Sequence, residues 1–200
     1  MMRAFAAIEI TKSVADKLTV VQHGLQEAIG GRGVRWVRPD AIHITLKFLG
    51  EISAEQASML LQEFVSVAES AEPFTLAASG LGCFPHCRSP RLLWAGVEDD
   101  LSALEQLQNA TERCSVQLGH TADRRRFSAH LTIGRIRSSR LRPVEAEVLR
   151  EAVRAANGQR FGEWQVAEMV LMQSKLGSDG AQYTRWARIP FQHGQPITIG

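Results

Sequence analysis

Two short segments of the chain share a residue pattern that could support acid–base chemistry. Residues 43–46 read HITL and residues 130–133 read HLTI, so each has a histidine, a spacer, a threonine and an aliphatic residue. Side chains alternate between faces along a β-strand, and the histidine and threonine of each segment would therefore point the same way. Each strand would offer one imidazole and one hydroxyl to a common surface.

Two imidazoles and two hydroxyls around one pocket suit displacement at phosphorus. Imidazole titrates near neutrality, so one of His43 and His130 can accept a proton while the other donates one. The hydroxyls of Thr45 and Thr132 are small donors that fit the non-bridging oxygens of a phosphoryl group. Neither segment carries the clustered carboxylates that hold Mg²⁺ in many phosphoryl-transfer sites. We expect metal-independent chemistry without a cofactor.

Other interpretations of these residues stay open. Either histidine alone could be a hydrogen-bonded strand residue, and a zinc site is a further alternative, although two histidines and two threonines are a poor ligand set. The segment CFPHCR also holds a metal-like cluster of Cys83, His86 and Cys87. With Cys114, the cysteines form an odd and sparse set, as expected of a reduced cytosolic protein rather than a disulfide scaffold.

The pattern of apolar residues predicts the elements that position the two segments. Helical periodicity appears at residues 13–29, 53–70, 100–119 and 143–158, with capping boxes at Ser13/Asp16 and Ser53/Gln56. The inward faces are predicted to include Val14, Leu18, Val21, Leu25 and Ala28 in the first helix, and Val144, Val148, Ala152 and Val153 in the fourth. Strands are predicted at Arg3–Ile10, Val34–Val37, Ile42–Leu49, Phe74–Phe84, Leu92–Val97, Phe127–Ile136, Trp164–Ser174 and Tyr183–Ile189.

The order of these elements indicates a weak internal duplication. A helix, a motif strand, a helix and two strands occur twice, over residues 11–97 and 100–190 of one bilobal domain spanning residues 1–200. Two such units, related by an approximate twofold axis, would bring their motif strands face to face across a cleft.

Composition and charge restrict the class of protein. Two hundred residues with 44% apolar content suit one compact domain or two small lobes, and no apolar run is long enough for a membrane helix. The first residues lack a secretion signal, so a cytoplasmic location is expected. The stretch from Arg124 to Arg142 contains seven arginines and no acid. It could attract a polyanion, or it could be a solvated surface.

Several segments together resemble a known family. The motifs RAFAAIEI, HITLKFLG, LLWAGV, HLTIGR and LMQSKLGSDGAQY are similar, in order and spacing, to the two-histidine (HxTx) phosphoesterase superfamily. They resemble its LigT-like branch, the RNA 2′,3′-cyclic phosphodiesterases once called 2′-5′ RNA ligases. The resemblance implies a bilobal α+β fold, with two antiparallel sheets lining a central cleft and helices on the outside. It also implies hydrolysis of a ribose 2′,3′-cyclic phosphate to a 2′-phosphomonoester.

The resemblance also implies roles for individual residues. His43 corresponds to the proton donor to the departing O3′, and His130 to the proton acceptor that activates water, although a symmetric site can run in either sense. Thr45 and Thr132 correspond to phosphate-holding hydroxyls. Phe48 and Arg135, each five residues after a histidine, correspond to nucleotide-holding positions. An odd offset points away from the histidine face of an ideal strand, so these two roles require a bulge or a strand end.

Three alternatives to hydrolysis remain. The first is 2′-5′ RNA ligation, in which an RNA 5′-hydroxyl replaces water. The second is binding of a nucleotide or RNA end without turnover, and the third is hydrolysis of a different cyclic ester, such as ADP-ribose 1″,2″-cyclic phosphate. In each case the expected partner is a nucleotide or an RNA end. No membrane or obligate protein partner is expected, and the chain is expected to be a monomer.

Overall fold

The computed structural model describes residues 1–29, 33–137, 141–177, 180–192 and 197–198. Its helices are α1 (Lys12–Ile29), α2 (Ala54–Glu69), α3 (Leu101–Gln117) and α4 (Pro143–Ala155), with a 3₁₀ turn at Pro39–Ala41. Its strands are β1 (Met2–Glu9), β2 (Val34–Trp36), β3 (His43–Ile52), β4 (Phe74–Phe84), β5 (Leu92–Asp99), β6 (His130–Ile136), β7 (Arg160–Val166), β8 (Glu168–Gly177), β9 (Gly180–Pro190) and β10 (Ile197–Thr198).

The strands form two antiparallel sheets. The first sheet has the order β10-β9-β8-β1-β3, and the second has the order β2-β6-β5-β4-β7. One motif strand, β3, lies in the first sheet, and the other, β6, lies in the second. The predicted α+β class with two antiparallel sheets is confirmed. Each half of the chain contributes strands to both sheets. The single bilobal domain over residues 1–200 and its repeat boundaries stay a prediction.

The helices divide between the two sheets. α1 and α4 pack on the second sheet, whereas α2 packs on β8 and β9 and α3 packs on β3. The main core lies between helices and sheets, and a separate small cluster of Phe5, Ala7, Val170 and Met172 lies on the other face of the first sheet. Among the described residues, no helix is long and apolar enough to cross a membrane.

Most predicted elements match the structure to within a few residues, but one predicted strand is two strands and another begins three residues late. β4 has the predicted bounds Phe74–Phe84. The predicted strand Trp164–Ser174 is two strands, because the chain leaves the second sheet and enters the first at Ala167. The predicted strand Phe127–Ile136 begins only at His130. A continuous run of β-forming residues carries no signal for a change of sheet.

Only one of the two predicted capping boxes is present. The capping box of Ser53 and Gln56 is present at the start of α2. The one predicted at Ser13 is not, because α1 begins one residue earlier and Ser13 lies inside its first turn.

Two helices are rotated slightly from the predicted orientation. α1 buries Val14, Leu18 and Leu25 as predicted. It also buries Gln22 and Ile29 and leaves Ala28 exposed, so the rest of its inward stripe lies one residue further along the chain than predicted. In α4 the buried residues are Glu145 and Leu149, and Val144 is exposed.

Candidate active site

The two motif strands begin at their histidines and lie close to each other. His43 is the first residue of β3 and His130 is the first residue of β6. Although the strands belong to different sheets, β3 and β6 are in direct contact. The structure therefore brings the two sequence motifs together from opposite sheets.

A bulge in β3 sets the direction of the side chains that follow His43. The pairing with β1 runs Glu9 with His43, Ala7 with Thr45 and Phe5 with Phe48, with an irregularity that skips Leu46. Because Phe5, Ala7 and Glu9 share one face of β1, their three partners share one face of β3. The bulge thus places Phe48 on the histidine face, as its predicted role requires.

The second motif strand has the same irregularity at the equivalent position. β6 pairs with β5 through Gly96 with His130, Trp94 with Thr132 and Leu92 with Arg135, and the register skips Ile133. Arg135 therefore shares a face with His130 and Thr132 despite its odd offset. Phe48 and Arg135 are both exposed, and Phe48 keeps 63% of its surface accessible.

Backbone hydrogen bonds fix the orientation of both imidazole rings. Nδ1 of His43 lies 2.8 Å from the carbonyl oxygen of Ala41, and Nδ1 of His130 lies 2.7 Å from that of Ser128. A carbonyl oxygen can only accept, so Nδ1 carries the proton in each ring. In the neutral rings Nε2 is then the free base. Nε2 of His43 lies 3.1 Å from the hydroxyl oxygen of Thr45.

Aromatic side chains that we did not predict as site residues hold the two rings. His43 stacks on Phe5 with ring centroids 4.8 Å apart and meets Tyr183 edge-on at 5.2 Å. His130 meets Phe84 edge-on at 5.1 Å, and Phe84 in turn packs on Trp94. Phe5, Trp94 and Tyr183 occur in segments that carry the family resemblance. The strand pattern alone gave them no role, because aromatic residues are common in any buried strand.

The environment of His43 lowers its pKa to about 4, from an ordinary value near 6.5. Burial is the largest cause, because it disfavours the charged ring. The positive charges of Arg135 and His130 lower the pKa further, whereas the hydrogen bond to Ala41 raises it. His43 is therefore neutral at pH 7 in the ligand-free protein. These effects also show that Arg135 and His130 lie near His43.

The remaining sequence candidates lie outside this constellation. Cys83 and Cys87 form a disulfide, with Cα atoms 5.1 Å apart where the chain reverses after β4. The expectation that all cysteines are reduced is wrong for this pair, and only Cys114 is a free, buried cysteine. The pairing also removes two of the three candidate ligands of the CFPHCR cluster.

The arginines between Arg124 and Arg142 do not form one uniform surface. Arg124 to Arg126 are exposed on the segment before β6, where Arg126 lies 3.8 Å from Glu105. Arg142 pairs with Glu145 at the start of α4. Residues 138–140, which include Arg140, lie outside the described residues.

The chain is similar to curated enzymes along most of its length. Residues 8–94 match the family model described as LigT like Phosphoesterase. An RNA 2′,3′-cyclic phosphodiesterase of Archaeoglobus fulgidus is 35% identical, over 91% of this chain and 96% of the relative. The RNA 2′,3′-cyclic phosphodiesterase of Aquifex aeolicus is 31% identical, over 92% of this chain and 94% of the relative.

Solved structures agree with these sequence relationships. The crystal structure of E. coli LigT complexed with 3′-AMP has a TM-score of 0.74 and 25% sequence identity to the chain, and the match covers 96% of this chain and 99% of that one. The resemblance inferred from the motifs is thereby confirmed. The chain belongs to the LigT-like phosphoesterase family.

Proposed function

We propose that this phosphoesterase hydrolyses a ribose 2′,3′-cyclic phosphate to a 2′-phosphomonoester, with His43 and His130 as its acid–base pair. The observation that carries the proposal is the matched geometry of β3 and β6. Each strand presents a histidine, a threonine and a bulge-directed fifth residue on one face, with Nδ1 of the histidine bonded to a backbone carbonyl. Relatives 35% and 31% identical are RNA 2′,3′-cyclic phosphodiesterases.

The proposed reaction is a direct displacement by water. The base removes a proton from water as the new oxygen–phosphorus bond forms, and the acid gives a proton to O3′ as its bond to phosphorus breaks. One proton enters the pair and one leaves it, so the two rings exchange protonation states in each turnover. The hydroxyls of Thr45 and Thr132 and the guanidinium of Arg135 stabilise the charge on the non-bridging oxygens.

The low pKa of His43 must be reconciled with its proposed role as the proton donor. With a pKa of about 4, His43 is a proton acceptor in the free protein, whereas its proposed role is that of donor. A phosphate anion about 4 Å away is worth roughly 4 kcal/mol at an effective dielectric constant of 20. That energy corresponds to about three pKa units, which suffices to protonate His43 near neutral pH. We therefore propose that the bound substrate itself charges the donor.

Phe48 and Arg135 are proposed to hold the nucleotide. The Phe48 ring lies beside Phe5, which stacks on His43, so a base against Phe48 would be attached to a ribose close to the imidazole. An exposed aromatic face and a guanidinium group are both suited to stacking on a base.

Four exposed arginines that have no carboxylate partner among the described residues support an RNA end as the substrate. Arg35 and Arg135 are cross-strand partners on β2 and β6, and Arg91 and Arg137 lie beside them at the same end of the second sheet. All four are exposed, and none is within ion-pair distance of a carboxylate among the described residues. Like charges opposite each other are unfavourable, and the phosphates of an RNA strand would offset this repulsion.

One set of assays tests the proposal. Purified protein in EDTA is given 2′,3′-cyclic mononucleotides and oligoribonucleotides with cyclic phosphate ends, and the products are identified. We expect 2′-monoesters, and a kcat/KM for the oligonucleotide that falls with added salt more steeply than that for the mononucleotide. Tight binding of a nucleoside 2′-phosphate without turnover would instead indicate a binding protein. Incubation with paired RNA ends shows whether joining competes with hydrolysis.

A cytoplasmic location and a monomeric state stay predictions.

A further inference from the structure

Two buried glutamines contact the bulges that shape the candidate site. Gln22 in α1 and Gln108 in α3 are among the few buried polar residues, with 4% and 6% of their surfaces exposed. Gln22 lies on a helix face that otherwise buries apolar side chains, and Gln108 lies on a face that buries Thr111 and Ser115 among apolar residues. Burial of an amide without hydrogen bonds is costly, so the partners of these two groups reveal what the glutamines do.

Each glutamine donates to the carbonyl of one bulge residue. Nε2 of Gln22 lies 2.8 Å from the carbonyl oxygen of Ile133, and it also lies 2.7 Å from that of Val37. Nε2 of Gln108 lies 3.3 Å from the carbonyl oxygen of Leu46. Leu46 is the residue skipped between Thr45 and Phe48 in the pairing with β1, and Ile133 is the residue skipped between Thr132 and Arg135 in the pairing with β5. Since a carbonyl accepts only, the amide nitrogen must face it in each case.

The arrangement is crossed between the two halves of the chain. Gln22 lies 21 residues before His43, and Gln108 lies 22 residues before His130. Each glutamine, however, supports the motif strand of the other half. Gln22 holds the bulge after Thr132, and Gln108 holds the bulge after Thr45. The matched position and matched target argue against two unrelated buried amides.

We propose that Gln22 and Gln108 are positioning residues, each of which fixes the bulge that turns the nucleotide-holding side chain of one motif onto its histidine face. Gln108 acts through Phe48, and Gln22 acts through Arg135. Each bulge residue is skipped in the pairing of its motif strand with β1 or β5, and the glutamine adds a side-chain hydrogen bond to its carbonyl. The carbonyl of Ile133 also accepts from the backbone N–H of Val37 at 3.0 Å, so Gln22 ties this bulge and residue 37 together. This inference rests on the proposed function for the identity of the ligand, but not on turnover.

The test compares Gln22→Met and Gln108→Met, which keep the side-chain length and remove the donor. Thr19→Val and Thr111→Val are the matched controls, because each threonine hydroxyl donates to a carbonyl of its own helix at 2.8 Å. The readout is the Kd for a nucleoside 2′-monophosphate, measured by calorimetry on variants whose folding is verified by thermal melting. A methionine variant that does not fold is replaced by asparagine, whose shorter amide cannot reach the carbonyl.

Crossed double-mutant cycles separate positioning from general destabilisation. We expect Gln108→Met to weaken binding about fivefold, the effect of about one hydrogen bond, in the wild-type and Arg135→Gln backgrounds. In the Phe48→Ala background it should have almost no effect. Gln22→Met should show the reverse pattern, losing its effect only when Arg135 is replaced. The threonine controls should leave Kd unchanged.

Additive losses in all backgrounds, or an equal loss in Thr111→Val, would overturn the inference. A wild-type protein that binds the nucleotide but does not hydrolyse the cyclic ester rejects the proposed function instead, and the crossed pattern in Kd still decides the roles of the glutamines. A wild-type protein that does not bind the nucleotide at all rejects both.

Discussion

The two motif strands carry the same histidine–threonine pair but are supported in different ways. β6 lies between β5 and β2, whereas β3 ends its sheet and pairs only with β1 among the described strands. The residue four positions after the histidine differs accordingly. It is Lys47 in β3 and Gly134 in β6.

Lys47 replaces the missing neighbour of β3 with charged contacts. Its ammonium group is fully buried, lies 2.9 Å from the carboxylate of Glu112 and 3.4 Å from that of Asp123, and donates to the carbonyl of Thr121 at 2.7 Å. His120 also approaches the carbonyl of Leu49 at 3.2 Å. α3 and the segment after it therefore hold β3 through the Lys47 ammonium group and through the carbonyls of Leu46 and Leu49.

Gly134, in contrast, leaves room for a neighbouring strand, because β6 has a strand on both sides. A Cβ atom at this position would lie 2.9 Å from Cγ1 of Val34 in β2. The small residue lets β2 pack closely on β6. The comparison shows that the same histidine–threonine arrangement is supported by a strand ladder in one sheet and by buried ion pairs in the other.

The largest expected effect comes from removing either imidazole. His43→Ala and His130→Ala should each lower kcat for a 2′,3′-cyclic nucleotide by about 10²–10⁴, because each ring transfers one of the two protons. The double variant should lose little more than the single ones, since the two rings act as a unit. A single variant that turns over at near the wild-type rate would show that the two strands do not share one reaction.

Lys47 in β3 and Gly134 in β6 should differ in their contribution to the free energy of unfolding. Lys47→Met leaves the Glu112 carboxylate without its cation, so we expect the free energy of unfolding to fall by about 3 kcal/mol. Gly134→Ala forces Val34 to move and should lower it by about 1 kcal/mol. Urea denaturation measures both. Equal losses would remove the distinction drawn between the strands.

Acid should destabilise the fold through His43. Its folded pKa of about 4 lies below the ordinary value of 6.5, so the unfolded chain binds more protons between these values. The stability from His43 is fully present above pH 6.5 and is lost as the pH falls towards 4, by at most about 3 kcal/mol. Denaturation curves of the wild type and His43→Gln over this pH range test this. An identical pH dependence in both proteins would contradict it.

Phe48 and Arg135, the proposed nucleotide-holding residues, should differ in their response to salt. Phe48→Ala should raise KM about tenfold at any ionic strength, because stacking is not screened. Arg135→Gln should raise KM by a similar factor at low salt and by less at high salt, because its charge is exposed. Measuring KM for each variant at several salt concentrations distinguishes the two contributions. A salt-sensitive effect at Phe48 would argue against stacking.

The sequence predicted the two motif strands and their contact better than it predicted their geometry. The odd offset of Phe48 and Arg135 correctly indicated that a bulge was needed for both to share the histidine face. The positions of the bulges depend on β1 and β5, which pair with the motif strands from distant parts of the chain.

Buried polar residues were the hardest to predict. Gln22 was missed in α1 because a glutamine next to an apolar stripe normally faces solvent. The burial of Lys47 could not be predicted for a similar reason, since only the fold brings Glu112 and Asp123 to its ammonium group. Such residues become visible only when their tertiary partners are known.

The most direct measurement is a crystal structure of the chain with a nucleoside 2′-monophosphate. Our account predicts one phosphate between β3 and β6, with Nε2 of both His43 and His130 within about 3.2 Å of its oxygens. A phosphate bound to one imidazole only, with the other ring beyond the reach of any phosphate oxygen, would contradict the claim that the two motifs form one active site.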